Sequence, residues 1–585
     1  MVIYLSLIIK KKLNDLSTKP SIANAWYLGN ILVFFIFIFI PVLYVLLYVF
    51  TRLDLINDFV LNDFSKLNII ISAISMSFAV SITVTIIDIV FGLIIAWVLA
   101  KKSFKGKELV NTLIESPLAI PTAGLGFSVA LFWAQTPGVN IIPVGALQIF
   151  DNVFVIIVLF HFTTTFPYVV RSLTELLEEV DKSYELAALT SGASRFTSAR
   201  TITLPMFRSG ISTAAILSMA KSLSDTGGVV TLLTTIKGSK LTEGDTIQGT
   251  ALIDIWKGFT KVKDIDLLTK AQYEAALAFV SFLMIILSLI ILFIMKWFIR
   301  NVKAPKKKVY PDFERRISRG MYVQFRNAMG YGFMILFVFI PSFFILAYLI
   351  SSPFPQNIEW GPFFNAVINS FSIASIATIL NIFLGLTIGI YITRKKNILS
   401  KLLESLIDVP YLVPSAALGI SVFLFWKSDL SPVIFLGITI PDFVLVVFAH
   451  MSMIFPFITR NIVGGLEEFD VEIEQTARTL GAKPFGVFTG LTLPAIKGSI
   501  LAGGVMAFTR SVGETGATLA VSSLETAPVF IVNQIKSSTP NYALAALTTL
   551  VLTVIGYFFI IISKLILNSQ EVKLFINKLA NFRFN

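Results

Sequence analysis

The chain repeats itself. His161-Phe-Thr-Thr-Thr-Phe-Pro-Tyr-Val-Val-Arg171 returns 289 residues later as His450-Met-Ser-Met-Ile-Phe-Pro-Phe-Ile-Thr-Arg460. Leu177-Glu-Glu-Val-Asp181 returns as Leu466-Glu-Glu-Phe-Asp470, and the only two histidines occupy equivalent places. A duplication on this scale decides the architecture before any local pattern is read. It implies two similar halves arranged about one shared axis. A second set of matches, Pro117-Leu-Ala-Ile-Pro121 and Phe132-Trp133 against Pro410-Tyr-Leu-Val-Pro414 and Phe425-Trp426, has an offset of 293. The four extra residues of the first copy therefore belong to the segment 134–150.

Only 14% of the 585 residues are charged and 55% are hydrophobic, whereas a soluble domain carries about 25% charged residues. Apolar runs of about 20 residues recur, each enough to cross a hydrocarbon layer of about 30 Å. They are continuous, unlike the alternating segments of about 10 residues in a β-barrel. The fold class is an all-α polytopic membrane protein. Six spans are predicted near 30–50, 68–100, 111–135, 151–170, 207–235 and 272–299, and six more near 329–350, 364–393, 402–426, 440–459, 495–521 and 540–566. Two tandem six-helix domains, 1–300 and 329–585, flank a basic linker, 301–328.

Lysine and arginine sort to one side, as cytoplasmic loops require. The N-terminus, Lys101-Lys102 to Lys107, the 171–208 loop, the linker, Arg394-Lys395-Lys396 and the C-terminal tail are basic, while 134–150 and 351–363 have no Lys or Arg. Both termini are thus expected in the cytoplasm. The net charge of +12 is read as orientation in the lipid bilayer and not as a nucleic-acid surface. The first apolar run is too long for a signal-peptide core of about 7–15 residues, so it is read as a retained span. With no cysteine, disulfides, thiolate zinc sites and iron–sulfur clusters are excluded.

Two long loops, about 174–205 and 463–494, share a spaced pattern. The first reads Glu185-Leu-Ala187-Ala188-Leu-Thr-Ser-Gly192, nine residues, then Ile202-Thr-Leu-Pro205. The second reads Glu474-Gln-Thr-Ala477-Arg-Thr-Leu-Gly481, nine residues, then Leu491-Thr-Leu-Pro494. Gly suits the left-handed residue that ends a helix and Pro suits a first turn, so each loop predicts a helix–turn–helix, a small knob on the cytoplasmic face.

This pattern resembles the hallmark of the permease subunits of ATP-binding-cassette importers that work with an extracellular binding protein. By that resemblance the short helix before Gly192 and Gly481 is the coupling helix that seats in a cytoplasmic ATPase subunit, one of two copies. Glu185, Ala187, Ala188, Gly192, Pro205, Glu474, Ala477, Gly481 and Pro494 are its motif positions. The acid stands one residue earlier than in the common pattern, a form similar to the molybdate, tungstate and sulfate members. The resemblance implies a fused permease in the plasma membrane, a separate solute-binding protein and a small oxyanion as cargo. Ferric iron or thiamine is the competing cargo, because importers for those are also commonly fused.

The span after each loop carries charge: Lys221-Ser-Leu-Ser-Asp225-Thr-Gly227-Gly in the first copy, Arg510-Ser-Val-Gly-Glu514-Thr-Gly516-Ala in the second. An intramembrane acid is a functional-site candidate by default, yet base and acid at i and i+4 also share a helix face and can simply pair. Both readings stand, a neutralised pair beside the pathway or a structural pair. The second stretch looks like the corresponding one of oxyanion permeases. His161 and His450 are read as structural donors, with a pathway role as the alternative; two histidines without placed carboxylates make no metal site. The prolines 117, 121, 410 and 414 mark either kinks or a cavity lining. No Gly-x-x-x-x-Gly-Lys-Ser/Thr loop occurs, so ATP is not held by that device. No nucleophile–base arrangement or cofactor motif suggests an enzyme. The rival class is a secondary transporter built from two repeats, which needs no ATPase; a channel or a structural membrane protein is a third.

Overall fold

In hydrocarbon only a helix satisfies every amide and carbonyl within its own segment, and the apolar runs fold accordingly. The structure, a computed structural model, describes residues 12–134, 152–262, 265–301, 310–352, 358 and 360–567. Among the described residues all regular structure is helical. Eight helices are long and apolar enough to cross a membrane: Pro20–Thr51, Phe64–Lys101, Val153–Glu178, Leu267–Met295, Met321–Ser351, Trp360–Arg394, Asp442–Glu468 and Tyr542–Phe559. Three bent pairs raise the number to eleven if each is one span, against the twelve expected. The four-residue insertion in 134–150 lies almost wholly outside the described residues.

Two features separate this architecture from a row of straight spans. The expected spans 111–135 and 402–426 are broken by 105° and 109°. Pro121 and Pro414 are the cause, since the residue before a proline is driven out of the helical region. Ile120 (φ −85°, ψ 129°) and Val413 (φ −82°, ψ 130°) are extended, and each proline's carbonyl then starts a new helix by accepting from Leu125 or Leu418. The expected spans 207–235 and 495–521 are also divided. The first becomes Arg208–Ser224 and Gly227–Lys237, the second Lys497–Val512 and Gly516–Val521. Seventeen residues reach only about 26 Å, less than the bilayer core of about 30 Å, so the inner half-helix alone is too short to span it.

The first span of each half leaves its own half and packs on the other. Pro41 and Pro341 interrupt these helices and are preceded by π-helical turns, Phe35–Phe39 and Ile335–Phe339. A proline offers no amide, so a carbonyl in the preceding turn loses its donor. The opposite half supplies one: Ser452 Oγ donates to the Phe37 carbonyl at 3.3 Å, and Thr163 Oγ1 to the Phe337 carbonyl at 2.9 Å. One turn on, Ser421 Oγ sits between the Pro41 carbonyl (2.6 Å) and the Val45 amide (3.2 Å). Ser128 Oγ does the same between the Pro341 carbonyl (2.7 Å) and the Ile345 amide (3.0 Å). Ring stacking of Phe37 on Trp426 and of Phe337 on Trp133 completes the exchange.

Candidate functional sites

The face that carries the two Glu…Leu-Pro loops is called here the near face. In the first loop the Asp181 carboxylate accepts from the Ser183 amide and opens the helix Lys182–Thr190. Gly192, at φ +87°, ends it; Gly481, at φ +91°, ends its counterpart Val471–Thr479. That conformation costs a residue with a Cβ roughly 1–2 kcal/mol. No residue of Lys182–Thr190 is buried, and Tyr184, Leu186 and Leu189 stand exposed. In the second loop Leu480 is 83% exposed. Ala187 is exposed, and Ala188 and Ala477 are half-buried. Pro205 and Pro494 lie in the one-turn helices Leu204–Met206 and Leu493–Ala495, before the inner half-helices.

The motif acids point inward. Glu185 meets Lys101 Nζ at 2.8 Å and accepts from Thr203 Oγ1 at 2.8 Å. Glu474 receives the Arg394 fork at 3.1 and 3.2 Å and the Thr492 hydroxyl at 2.9 Å. Each acid thus ties its short helix to the near end of the second span and to the loop's own second limb. Lys101 and Arg394 are 293 residues apart, the offset of the proline region, and that coincidence was the available signal for them.

Sequence reasoning missed a second grip on these loops. The linker helix Pro311–Ile317 docks beside the first loop, where buried Glu314 accepts from Thr197 Oγ1 (2.5 Å) and from the Tyr310 amide (3.3 Å) and pairs with Arg200. Burial alone would raise the Glu314 carboxyl, but these donors, with Arg200, hold it below the usual range. Ser318 Oγ accepts from the Phe196 amide at 3.0 Å. In the second loop the partner is the N-terminal segment: Ser17 Oγ accepts from the Phe485 amide at 3.1 Å, and Lys483 Nζ meets Asp15 at 2.5 Å. Each loop is held by the segment that precedes the opposite half's first span.

The charged stretches occupy the two helix breaks, which cross each other. Lys221 Nζ lies 3.4 Å from Asp225 Oδ2, and Arg510 Nη2 lies 2.9 Å from Glu514 Oε2. The remaining acid oxygens cap the outer half-helices, Asp225 Oδ1 accepting from the Gly228 amide (3.3 Å) and Glu514 Oε1 from the Ala517 amide (2.9 Å). Glycine is required at the crossing: a Cβ on Gly227 would sit 2.2 Å from Thr515 Cβ, and one on Gly516 would sit 2.5 Å from Thr226 Cβ. Ser415 Oγ donates to the Ser224 carbonyl at 2.7 Å, closing the end of an inner half-helix from the opposite half.

The histidines are fully enclosed beside this crossing. His450 bridges the second break, with Nδ1 at 2.7 Å from Ser511 Oγ and Nε2 at 2.9 Å from Thr518 Oγ1. His161 Nε2 lies 3.1 Å from Gln248 Oε1. Below the crossing, a cavity of about 220 Å³ lies between the halves. Lys221, Arg510, Tyr168 and Thr509 line it, and Arg171 and Glu115 stand at its near-face end. Asp225, Glu514, His161 and His450 are not among its walls.

Two separated stretches, residues 88–304 and 381–570, match the family model described as "Binding-protein-dependent transport system inner membrane component". The chain belongs to this family. The two matches make it a fused permease, and each contains one near-face loop and one charged helix break. Among curated proteins it is similar to a probable sulfate transport system permease protein cysT of Chlorokybus atmophyticus, 28% identical over 268 residues that span 42% of this chain and 90% of the relative. It is also similar to the molybdenum transport system permease protein ModB of Haemophilus influenzae, 32% identical over 29% of this chain and 76% of that protein. A third relative is the molybdate/tungstate transport system permease protein WtpB of Pyrococcus furiosus, 27% identical over 39% of this chain and 88% of the relative. The permease is therefore a multi-pass membrane transport component of the sulfate, molybdate and tungstate type.

Proposed function

We propose that this chain alone forms the membrane duct of an ATP-binding-cassette importer for a small oxyanion, in the plasma membrane with the near face in the cytoplasm. Domains 1–300 and 329–585 each supply one coupling helix to a separate ATPase subunit, two copies in all, and cargo arrives from an external binding protein. The observation that carries this reading is the pair of near-face helices, Lys182–Thr190 and Val471–Thr479, set on ion pairs that fix their bases while their apolar side chains Leu186 and Leu480 remain uncovered. Such a rigid base with an open apolar tip suits docking into a partner's groove. ATP-driven approach of the two motors would draw the coupling helices together and rock the halves. The supporting argument for an oxyanion is the chemistry printed in the relatives' names, joined to the cations in the cavity wall.

The test is co-purification of the permease with its candidate ATPase and ATP-dependent uptake of labelled sulfate, molybdate or tungstate into proteoliposomes. Replacing Gly192 and Gly481 together by Trp is expected to abolish both, since each glycine holds a positive φ on an exposed turn. Unchanged assembly and transport in that double variant would remove the coupling assignment, and uptake of ferric iron or thiamine instead would reassign the cargo.

A further inference from the structure

We propose that the cavity beneath the crossed helix breaks is a binding station for one tetrahedral oxyanion, held between Lys221 of the first half and Arg510 of the second. The proposal deepens the oxyanion reading above and rests on it. The decisive feature is the way the charges divide. Each break contains one base and one acid, so the four groups together are neutral. Each acid, however, gives one oxygen to its base and the other to an outer half-helix, and neither residue reaches the cavity wall. The bases do reach it, with side chains 8% and 12% exposed. A cavity walled by two cations, with their counter-charges drawn back behind it, attracts a dianion.

The bond lengths favour exchange. A strong charge-assisted pair measures about 2.7–2.9 Å, and Lys221 is 3.4 Å from Asp225. That ammonium has three donors and is only loosely engaged. The Arg510 guanidinium presents five donors in a planar fork that suits two oxygens of one anion. Tyr168, Thr122 and Thr509 complete the wall, and the wall also holds Glu115, 3.8 Å from Arg171. The station lies on the near-face side of the Thr226–Gly516 crossing.

The test uses the full chain in lipid nanodiscs, without ATPase, and measures binding of [35S]sulfate and of molybdate by equilibrium dialysis at fixed chloride. The wild type is expected to bind one anion per chain. Lys221→Met and Arg510→Met should each weaken binding at least about thirtyfold, the lower end for removing one partner of a buried charge pair. Lys221→Arg, which keeps the charge and guards against misfolding, should stay within a few-fold of wild type, whereas Arg510→Lys keeps the charge but loses the fork and should fall between wild type and Arg510→Met. Lys536→Met, a change at a distant ion pair, is the control. Undiminished binding in both methionine variants would overturn the station. So would absence of binding in wild type while the ATPase complex imports oxyanion, a result that leaves the proposed function intact. Failure of the complex to import any oxyanion would instead overturn the parent reading, whatever the nanodiscs bind.

Discussion

Asp88 shows how one buried side chain can differ between the halves and change its hydrogen-bonding role. Its carboxylate is fully buried and accepts from Thr165 Oγ1 at 2.5 Å and Ser218 Oγ at 2.6 Å. The second half has Asn381 at the matching place, donating to the Met451 carbonyl at 2.8 Å. Asn keeps an oxygen for both hydroxyls, so Asp88→Asn should melt within a few degrees of wild type in detergent. Asp88→Leu should cost about 1–3 kcal/mol by leaving two buried donors unpaired. At the crossing, Gly227→Ala brings a methyl carbon against Thr515 and should cost about 1–3 kcal/mol through overpacking. Thr515→Gly in the same chain should recover most of that loss, because the clash is with that one side chain. A thermal melt that shows no recovery would mean the helices had instead moved apart.

Among the elements, the linker helix Pro311–Ile317 has the clearest consequence. A carboxylate held below its free value strengthens docking above that value, about 4.3 for Glu, and the contribution fades as pH falls through the depressed one. The linker should therefore stay on the first loop at neutral pH and loosen only in acid. Glu314→Gln should loosen it at pH 7. A native chain without cysteine permits spin labels at two introduced cysteines, one in each element, and a broadened distance distribution in Glu314→Gln at pH 7 is the expected result. The proline breaks of the first spans give a second element-scale prediction. Ser421→Ala removes the hydroxyl that bridges the Val45 amide and the Pro41 carbonyl, with an expected loss of about 0.5–1.5 kcal/mol. A thermal melt checks it, and Ser421→Thr should soften the loss by keeping the hydroxyl.

Across the whole molecule, exchange of the first spans makes each half incomplete alone. Bonds from Ser421 to the Pro41 carbonyl and from Ser128 to the Pro341 carbonyl are lost if the halves part. On the far face, Lys261 donates to the Leu519 and Ser522 carbonyls at 3.1 and 2.9 Å, and Lys536 pairs with Asp254, again across the halves. Two chains, 1–305 and 306–585, produced together should therefore co-purify as one stoichiometric complex, and either produced alone should aggregate. Recovery of a monodisperse single half would show that the exchange is dispensable.

Much of this protein was legible in its residues. The repeat located two halves, the apolar runs gave the helical class, and the Glu…Gly…Leu-Pro spacing marked both loops, because hydrophobic length and turn chemistry are local properties that a linear pattern carries. Pro121 and Pro414 announced breaks without their angle, since a proline specifies which backbone bond is lost and not which neighbour replaces it. What only the tertiary structure decided was partnership: that Glu185 turns inward to Lys101, that Glu314 reaches Arg200, and that Lys221 and Arg510 share one cavity whose wall their acids do not reach. Those choices depend on how two halves cross in space, a long-range packing outcome in which residues hundreds of positions apart become neighbours.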